Sequence, residues 1–282
     1  MVENRPVFTI AAHAVLALGV ALMVAPLWLA FVASTHPSGD FLSGRLPLWL
    51  GPDLVTNYGA VLSQSVSTAG APAIAGMLVN SLVVATLIAV GKIAVSLLSA
   101  FAIVYFRFPF RVAAFWTIFL TLMLPVEVRI LPTFEVVSQL GLLNSYAGLT
   151  IPLIASATAT FLFRQFFMTI PDELAEAARI DGATAMAFFR DILLPLSRTN
   201  IAALFVILFI YGWNQYLWPL LVTSDQAYYT IVMSVQRMAR AANDTPLWHL
   251  VMATTILALL PPVLVVIAMQ KLFVKGLIDT EK

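Results

Sequence analysis

Long apolar stretches dominate the chain, and polar residues gather in the segments between them. Crossing the hydrocarbon core of a bilayer takes about 20 mostly apolar residues in a helix, and six windows reach that length. They cover about 7–33, 74–105, 112–131, 146–167, 200–222 and 250–269. The first window is longer than the apolar core of a secretory signal, which has about 7–15 residues, so we interpret it as a retained anchor. The pattern predicts an all-α integral membrane protein with six transmembrane helices.

The composition agrees with a lipid-facing surface. Of the 282 residues, 61% are hydrophobic and only 10% are charged, whereas soluble domains have about a quarter of their residues charged. The net charge of +1 gives no basic surface for a nucleic acid. Because the chain has no cysteine, thiolate metal sites are impossible. His13, His36 and His249 lie too far apart in sequence to suggest metal ligands, so we expect no metal site.

The charges of the loops predict how the chain is oriented. With a cytoplasmic N-terminus, ten of the 15 Lys and Arg residues lie inside, four lie outside, and Lys92 lies within a span. Positively charged loops stay in the cytoplasm, so both termini are expected there. We divide the chain into an N-terminal helix with an external loop (1–73), a transmembrane core (74–271) and a cytoplasmic tail (272–282).

The most informative segment is the loop 169–195 between the fourth and fifth windows, which this orientation places in the cytoplasm. Pro171 suits the first position of a helix, and Gly182 can take the left-handed conformation that ends one. Thr184 can cap a second helix, which Pro195 can end. The loop is therefore predicted to form two short helices joined by a turn.

The first of these helices combines small residues with acidic ones. Leu174, Ala177 and Ala178 fall at helical spacing, and the two alanines allow another surface to approach the backbone closely. Glu176 stands beside them, where it can pair with Arg179 three residues later. Helices that lie on membranes favour Lys and Arg on their polar face, whereas this helix is mainly acidic. We interpret the loop as a protein-docking element, with a hairpin on lipid headgroups as the alternative.

This loop resembles the EAA loop of ABC importer permeases. A Glu-Ala-Ala triplet, a glycine and an Ile-x-Leu-Pro element match that pattern without a gap. The matching residues are Glu176, Ala177, Ala178, Gly182, Ile192, Leu194 and Pro195. In that family the short helix enters a groove of the ATPase subunit and transmits its motion to the membrane domain. The resemblance implies the type I ABC importer permease fold.

Other parts of the chain extend the resemblance. Segments 106–111, 212–220 and 270–277 resemble the basic turn, the Trp-Asn segment and the C-terminal ending of carbohydrate-type permeases. Segments 123–130 and 156–169 are similar to permeases of glycerol-phosphate importers. This narrower similarity implies sn-glycerol 3-phosphate, with glycerophosphodiesters as a further substrate class. An oligosaccharide or another polyol is the alternative.

The resemblance also implies a set of partners in the bacterial inner membrane. They are a second homologous permease, a homodimeric ATPase that binds ATP and Mg²⁺, an extracytoplasmic solute-binding protein, and membrane lipid. The chain lacks a phosphate-binding Gly-rich loop with Lys and Ser/Thr, so we expect neither catalytic residues nor a cofactor in it. The alternative class is an ion-coupled secondary transporter, which would show ionisable pairs at the bilayer centre or inverted repeats; Lys92 alone is present.

Few polar residues within the spans could contact a substrate. A charge in the membrane is costly and usually faces a cavity, so Lys92 is a candidate for lining the substrate path and favouring an anionic phosphate. Snorkelling to the cytoplasmic end of its helix, or pairing with a backbone carbonyl, is the alternative. The amides Asn80, Asn214 and Gln215 can hydrogen-bond a polyol or bridge two helices.

Two further pairs are expected to have structural roles. Glu127 and Arg129, at the outer end of the third window, are expected to pair with each other at the interface. Gating the substrate path and pairing with the partner permease are the alternatives. Trp213 and Trp218 are expected to pack and to anchor the chain at the membrane interface.

Overall fold

The computed structural model describes residues 6–42, 48–63, 73–120, 126–240 and 247–278. Within these ranges every regular element is a helix. The α-helices are α1 (Pro6–Ala33), α2 (Ser38–Leu42), α3 (Leu54–Ser63), α4 (Ile74–Tyr105), α5 (Arg111–Leu120), α6 (Val126–Gln139), α7 (Tyr146–Thr150), α8 (Ala157–Phe167), α9 (Asp172–Ile180), α10 (Ala185–Phe188), α11 (Leu194–Leu196), α12 (Arg198–Trp213), α13 (Leu217–Val222), α14 (Ile231–Ala239) and α15 (Trp248–Ile278).

Three of these helices are long and apolar enough to cross a membrane individually, namely α1, α4 and α15. Helix α1 contains no charged residue, and its described side chains are exposed along most of its length. Such a surface suits lipid, because its exposed side chains are mostly apolar and a helix satisfies most of its backbone groups internally. The first, second and sixth windows are thereby confirmed as long apolar helices.

The fourth window forms a bent pair of helices rather than one straight helix. Helix α7 continues into a 3-10 turn at Ile151–Leu153, and α8 starts at a 49° angle to it. Pro152 has no amide hydrogen to continue an α-helical ladder. Ser156 then caps α8 by accepting a hydrogen bond from the Ala159 amide at 3.3 Å. The chain thus breaks and restarts the helix within the predicted span.

The third window does not appear as one helix among the described residues. Helix α5 ends at Leu120, residues 121–125 lie outside the described part, and α6 runs from Val126 to Gln139. With two bent pairs counted as single spans, the described residues provide up to five membrane crossings. Six spans therefore stay a prediction, as does the cytoplasmic location of the termini.

Two compact units make up the chain. The first comprises residues 1–76 and 234–260, and the second comprises residues 77–233 and 261–282. In the first unit a network of hydrogen bonds holds the segment after α1: the Asn57 side chain donates to the Ser34 and His36 carbonyls at 2.9 and 3.1 Å. The predicted external loop thus contains α2, α3 and an ordered turn.

The second unit holds both sites described below. Its apolar core joins α4, α6, α7 and α13; the buried members are Val84, Ile88, Ile130, Val137, Leu149, Trp218 and Val222. Helices α4 and α12 approach closely at Gly212, where an added Cβ would lie 2.9 Å from the Ala85 Cα. Small residues permit such close contacts between membrane helices. The packing fixes the positions of α4 and α12 relative to each other.

Candidate docking loop and polar cavity

The first helix of the loop 169–195 ends as its sequence predicts. Gly182 has a φ of 75°, a conformation that costs glycine little. The Gly182 amide donates to the Arg179 carbonyl at 3.1 Å, and the Ala183 amide donates to the Ala178 carbonyl at 2.9 Å. This pair of bonds is the Schellman arrangement that closes a helix C-terminus. It turns the chain sharply between α9 and α10.

The two helix starts are also close to the predicted positions. The Thr184 hydroxyl oxygen accepts a hydrogen bond from the Ala187 amide at 3.2 Å, which confirms Thr184 as the cap of α10. Pro171 lies one residue before α9 rather than inside it, with an extended ψ of 136°. The helix begins at Asp172 instead, so Asp172 and Glu173 occupy its first turn, where the helix dipole favours negative charge.

The prediction that Pro195 ends the second helix was wrong. The chain stays helical through a π-helical segment, Phe189–Leu193, and then through α11 to Leu196. In the π segment the Leu194 amide donates to the Phe189 carbonyl, five residues back. This wider turn lies directly before Pro195. Because proline has no amide hydrogen, it needs no acceptor in the preceding turn, and the helix continues through Pro195. A 72° bend between Leu196 and Arg198 then separates this helix from α12.

The faces of α9 differ from those predicted. Ala175 and Ala178 are the buried residues of the helix, whereas Leu174 and Ala177 are exposed. The expected common face of Leu174, Ala177 and Ala178 is therefore divided between two sides of the helix. The reason is that the side of α9 with Ala175 and Ala178 meets an aromatic groove of its own unit, which includes Phe101.

Aromatic rings connect the loop to the end of α4. The Phe188 ring meets the Tyr105 ring edge to face at 5.2 Å between centroids. The Phe189 ring lies 5.0 Å from that of Phe101, and Tyr105 also approaches Phe167 at 6.2 Å. The rings therefore pack the loop directly against α4 and α8.

Glu176 and Arg179 do not form the expected ion pair within the described part of the chain. Arg179 instead borders the same groove as Tyr105 and Thr184, and Glu176 is exposed. The carboxylate of Glu176 is thus presented on the outer side of the loop.

The outer side also carries two apolar residues that the sequence analysis did not single out. Ile180 is 87% exposed and Met186 is 59% exposed. They lie on either side of the turn at Gly182, so both belong to the tip of the loop. The sequence does carry a signal for Ile180, because it directly precedes the Asp-Gly pair that ends the helix. At that position no further helical turn follows to cover its side chain. These two side chains therefore give the tip of the loop apolar as well as acidic surface.

The second site is a cavity of about 240 Å³ in the second unit. Its polar lining residues come from α4, α6 and the region where α12 ends, namely Lys92, Arg129, Thr133, Tyr211 and Gln215. The Lys92 side chain is 7% exposed and its ammonium nitrogen lies 3.9 Å from the centre of the Tyr211 ring. Of the four substrate-path candidates, the structure brings Lys92 and Gln215 together. The cavity combines cations with hydrogen-bonding groups.

The other two candidates lie elsewhere. The Asn80 amide donates to the Ala227 and Tyr229 carbonyls at 2.7 and 3.0 Å and accepts from the Tyr146 hydroxyl at 2.6 Å. These bonds correspond to the bridging alternative. Asn214 is the exposed residue at the end of α12 and does not line the cavity.

The tryptophans are packed as expected. Trp213 is 2% exposed and stacks on Phe209, with 5.8 Å between ring centroids. Trp218 is buried and donates to the Gly148 carbonyl at 3.1 Å. The expected pair of Glu127 with Arg129 involves a side chain outside the described part. Among the described residues, no group of three or more His, Cys, Asp and Glu side chains could hold a metal ion.

Apolar helices, a compact loop and a polar cavity define an α-helical membrane protein. Its fold matches that of a bacterial ABC transporter involved in the import of the acidic polysaccharide alginate, with a TM-score of 0.81 over 96% of this chain and 98% of that one. The sequences are 20% identical, so this likeness concerns the fold.

The family follows from the sequence itself. A family model described as binding-protein-dependent transport system inner membrane component matches residues 92–279. The chain therefore belongs to this family, the permease subunits of ABC importers. It is 57% identical, over the full length of both chains, to proteins of Agrobacterium fabrum and Rhizobium meliloti called sn-glycerol-3-phosphate transport system permease protein UgpE. A protein of the same name from Salmonella typhi is also 57% identical over the full length.

Proposed function

We propose that this chain is a permease subunit of an ATP-driven importer that carries sn-glycerol 3-phosphate across the inner membrane. The observation that carries the proposal is 57% identity over all 282 residues to permeases named for that substrate. Glycerophosphodiesters, which share the glycerol phosphate group, are a second substrate class. The chain itself contributes no catalytic residue, and a separate ATPase supplies the energy.

The loop 169–195 is the proposed coupling element. Its exposed tip, with Glu176, Ala177 and Ile180, enters a groove of the ATPase. Gly182 gives the tip its shape, and the segment containing Ile192, Leu194 and Pro195 connects it to α12. Closure of the ATPase dimer on ATP and Mg²⁺ moves the tip, and the ring contacts of Phe188 and Phe189 carry that motion to α4. The cavity then opens to the outside to receive substrate.

The proposed function implies a topology and a set of partners. Six spans with both termini in the cytoplasm place the loop on the ATPase side, as the distribution of Lys and Arg favours. The complete importer contains a second homologous permease, a homodimeric ATPase and an extracytoplasmic binding protein. Pairing with the second permease encloses a path that one chain alone cannot form.

An oligosaccharide or another polyol is the alternative substrate. Carbohydrate-type permeases share the loop and the Trp-Asn segment, so those features do not distinguish a glycerol phosphate from a sugar as the substrate. Two cations in one small cavity favour an anion over a neutral sugar. An ion-coupled secondary transporter has less support, because it would not need an ATPase-docking loop.

Uptake in a strain that lacks the chromosomal copy tests the function. Cells carrying the wild-type gene should accumulate labelled sn-glycerol 3-phosphate, and cells with an empty vector should not. Labelled maltose and labelled glycerol serve as the neutral comparisons. Accumulation of a neutral sugar without glycerol phosphate would overturn the proposed substrate. Uptake that persists after inactivation of the ATPase gene would overturn the importer class.

A further inference from the structure

The polar cavity of the second unit contains two cationic side chains on different helices. Lys92 comes from α4, and Arg129 comes from α6. In the part of the chain that the structure describes, no carboxylate forms an ion pair with either side chain. The two residues are 37 positions apart in sequence, and only the packing of α4 against α6 gives them a common cavity. Among the described side chains, two cations thus line one cavity without a paired carboxylate, an arrangement that favours an anionic ligand.

The burial of Lys92 strengthens this interpretation. A buried ammonium loses its hydration, and that loss is offset only by paired charges or hydrogen bonds. The Tyr211 ring, 3.9 Å away, supplies an attractive face but no negative charge. The guanidinium of Arg129 repels the ammonium rather than neutralising it. A ligand with two negative charges would compensate both cations at once.

The remaining polar groups suit the rest of a phosphorylated polyol. The Gln215 amide nitrogen donates to the Tyr211 carbonyl at 3.1 Å, which leaves its amide oxygen to accept from a ligand hydroxyl. Thr133 uses its hydroxyl hydrogen on the Arg129 carbonyl at 2.7 Å, so its oxygen can also accept. These acceptors would bind hydroxyl groups, whereas the cations would bind phosphate.

The size of the cavity within this chain suits a small ligand group. Its volume of about 240 Å³ is below the range of about 300–1,000 Å³ that is usual for drug-sized ligands. A three-carbon phosphomonoester is much smaller than such ligands, and an oligosaccharide is larger. Arginine is suited to phosphate because its planar fork can make two parallel hydrogen bonds. Lysine adds a point charge.

We propose that Lys92 and Arg129 form the binding site for the phosphate group of the transported substrate, with Gln215 and Thr133 accepting hydrogen bonds from its hydroxyl groups. This site rests on the proposed function, since it assumes a phosphorylated substrate. It gives this chain a direct part in selecting substrate after the binding protein has delivered it. The site selects substrates by their negative charge, and the loop 169–195 takes no part in this selection.

The test uses the complete importer in proteoliposomes with saturating substrate-loaded binding protein. The double variant K92M/R129Q should import labelled sn-glycerol 3-phosphate at least about tenfold more slowly than wild type, because charge-assisted hydrogen bonds to phosphate are lost. ATP hydrolysis stimulated by the loaded binding protein should stay comparable to wild type. The ratio of substrate imported to ATP hydrolysed should therefore fall.

Charge-retaining variants and a neutral position provide the controls. K92R and R129K should keep most of the import rate, since each retains its cation. E135Q, which removes an exposed charge from the same helix as Arg129, should import like wild type. Import by the double variant at the wild-type rate would overturn the proposal. So would equal losses in K92R and K92M, or a loss of stimulated ATP hydrolysis that parallels the loss of import, because both would indicate a structural role.

The same preparation tests the proposed function separately. If the wild-type importer failed to import sn-glycerol 3-phosphate but imported another loaded ligand, the proposed substrate would be wrong whatever the variants did. If wild type imported it and the double variant did so equally well, only the phosphate site would be wrong.

Discussion

The ammonium nitrogen of Lys92 lies 3.9 Å from the centre of the Tyr211 ring, which places a cation of α4 on an aromatic face of α12. A contact of this kind contributes about 0.5–2 kcal/mol. Removing an ammonium from water costs several kcal/mol even after the protein relaxes. The ring therefore orients Lys92 without fully compensating its charge, which leaves the cavity suited to an anion.

Replacing Tyr211 tests that contact. Y211L removes the aromatic face and should lower the stability of the purified importer by about 1 kcal/mol, as expected for a partly desolvated cation–π pair. Y211F keeps the face and should melt close to wild type. The measurement is thermal unfolding of the purified complex, compared among the three proteins. Equal melting temperatures for Y211L and Y211F would show that the ring face does not stabilise Lys92.

A bulky residue at Gly182 should uncouple the importer. The position has a φ of 75°, and a β-branched residue held there is strained by about 1–3 kcal/mol. G182V should insert into the membrane normally, because the strain is confined to a surface turn, but should import much less substrate per ATP hydrolysed. G182N is the matched control, since asparagine tolerates the left-handed region. Wild-type coupling in G182V would contradict the role given to this turn.

A charge at Ile180 should prevent docking of the ATPase. This side chain is 87% exposed, so I180D removes little packing from the chain itself and should leave its expression and melting temperature unchanged. Burying an unpaired carboxylate in an interface is costly, so co-purification of the ATPase should fall sharply. M168D, at an exposed position just before the loop, is the control that should retain the ATPase. Retention of the ATPase by I180D would remove Ile180 from the docking surface.

His36 should make the segment after α1 sensitive to pH. Its Nε2 lies 2.9 Å from the Trp49 carbonyl oxygen and its Nδ1 lies 2.8 Å from the Asp40 carboxylate. Both partners are acceptors, so only the doubly protonated ring can donate to both. The bond to the Trp49 carbonyl, with Asp40 and the charge of Asp53, raises the pKa of His36 above its usual 6.5, although burial opposes the shift.

The sign of the effect follows from the direction of that pKa shift. Because the folded pKa is raised, the stabilisation is complete below about pH 6.5 and is lost as the pH rises through the folded pKa. Amide hydrogen exchange in residues 34–42 and 48–58, corrected for intrinsic rates, should be slower at low pH in wild type. H36Q should abolish this dependence, and H13Q should preserve it. The same pH dependence in H36Q would assign the effect to another group.

Some features were predictable because they depend on local sequence. The window 74–105 coincides with α4 because the length of an uninterrupted apolar run sets the length of a membrane helix. The turn at Gly182 and the cap at Thr184 were predictable because each depends on the conformation or hydrogen bonding of a few adjacent residues.

The faces of the helices were less predictable. In a soluble helix the polar side identifies the surface, but in this chain apolar residues face both lipid and core. Helix α4, for example, has a buried Ile88 beside an exposed Leu87 of similar hydrophobicity. In α9 the buried pair proved to be Ala175 and Ala178 because this side of the helix meets the groove that includes Phe101, which lies far away in sequence. Pro195 was misjudged because a π-helical turn, which residue propensities do not reveal, precedes it.

The sequence by itself determined that the chain is a helical membrane protein and that it carries a loop of the EAA type. The first property depends on apolar run lengths, and the second depends on a gap-free motif around Glu176 and Gly182. Only the tertiary structure decided that Arg129 shares a cavity with Lys92, that Asn80 is fully engaged in bridging, and that Ile180 is exposed at the loop tip. The physical reason is that helix periodicity is local, whereas the side of a helix that meets a neighbour depends on the packing of segments far apart in the chain.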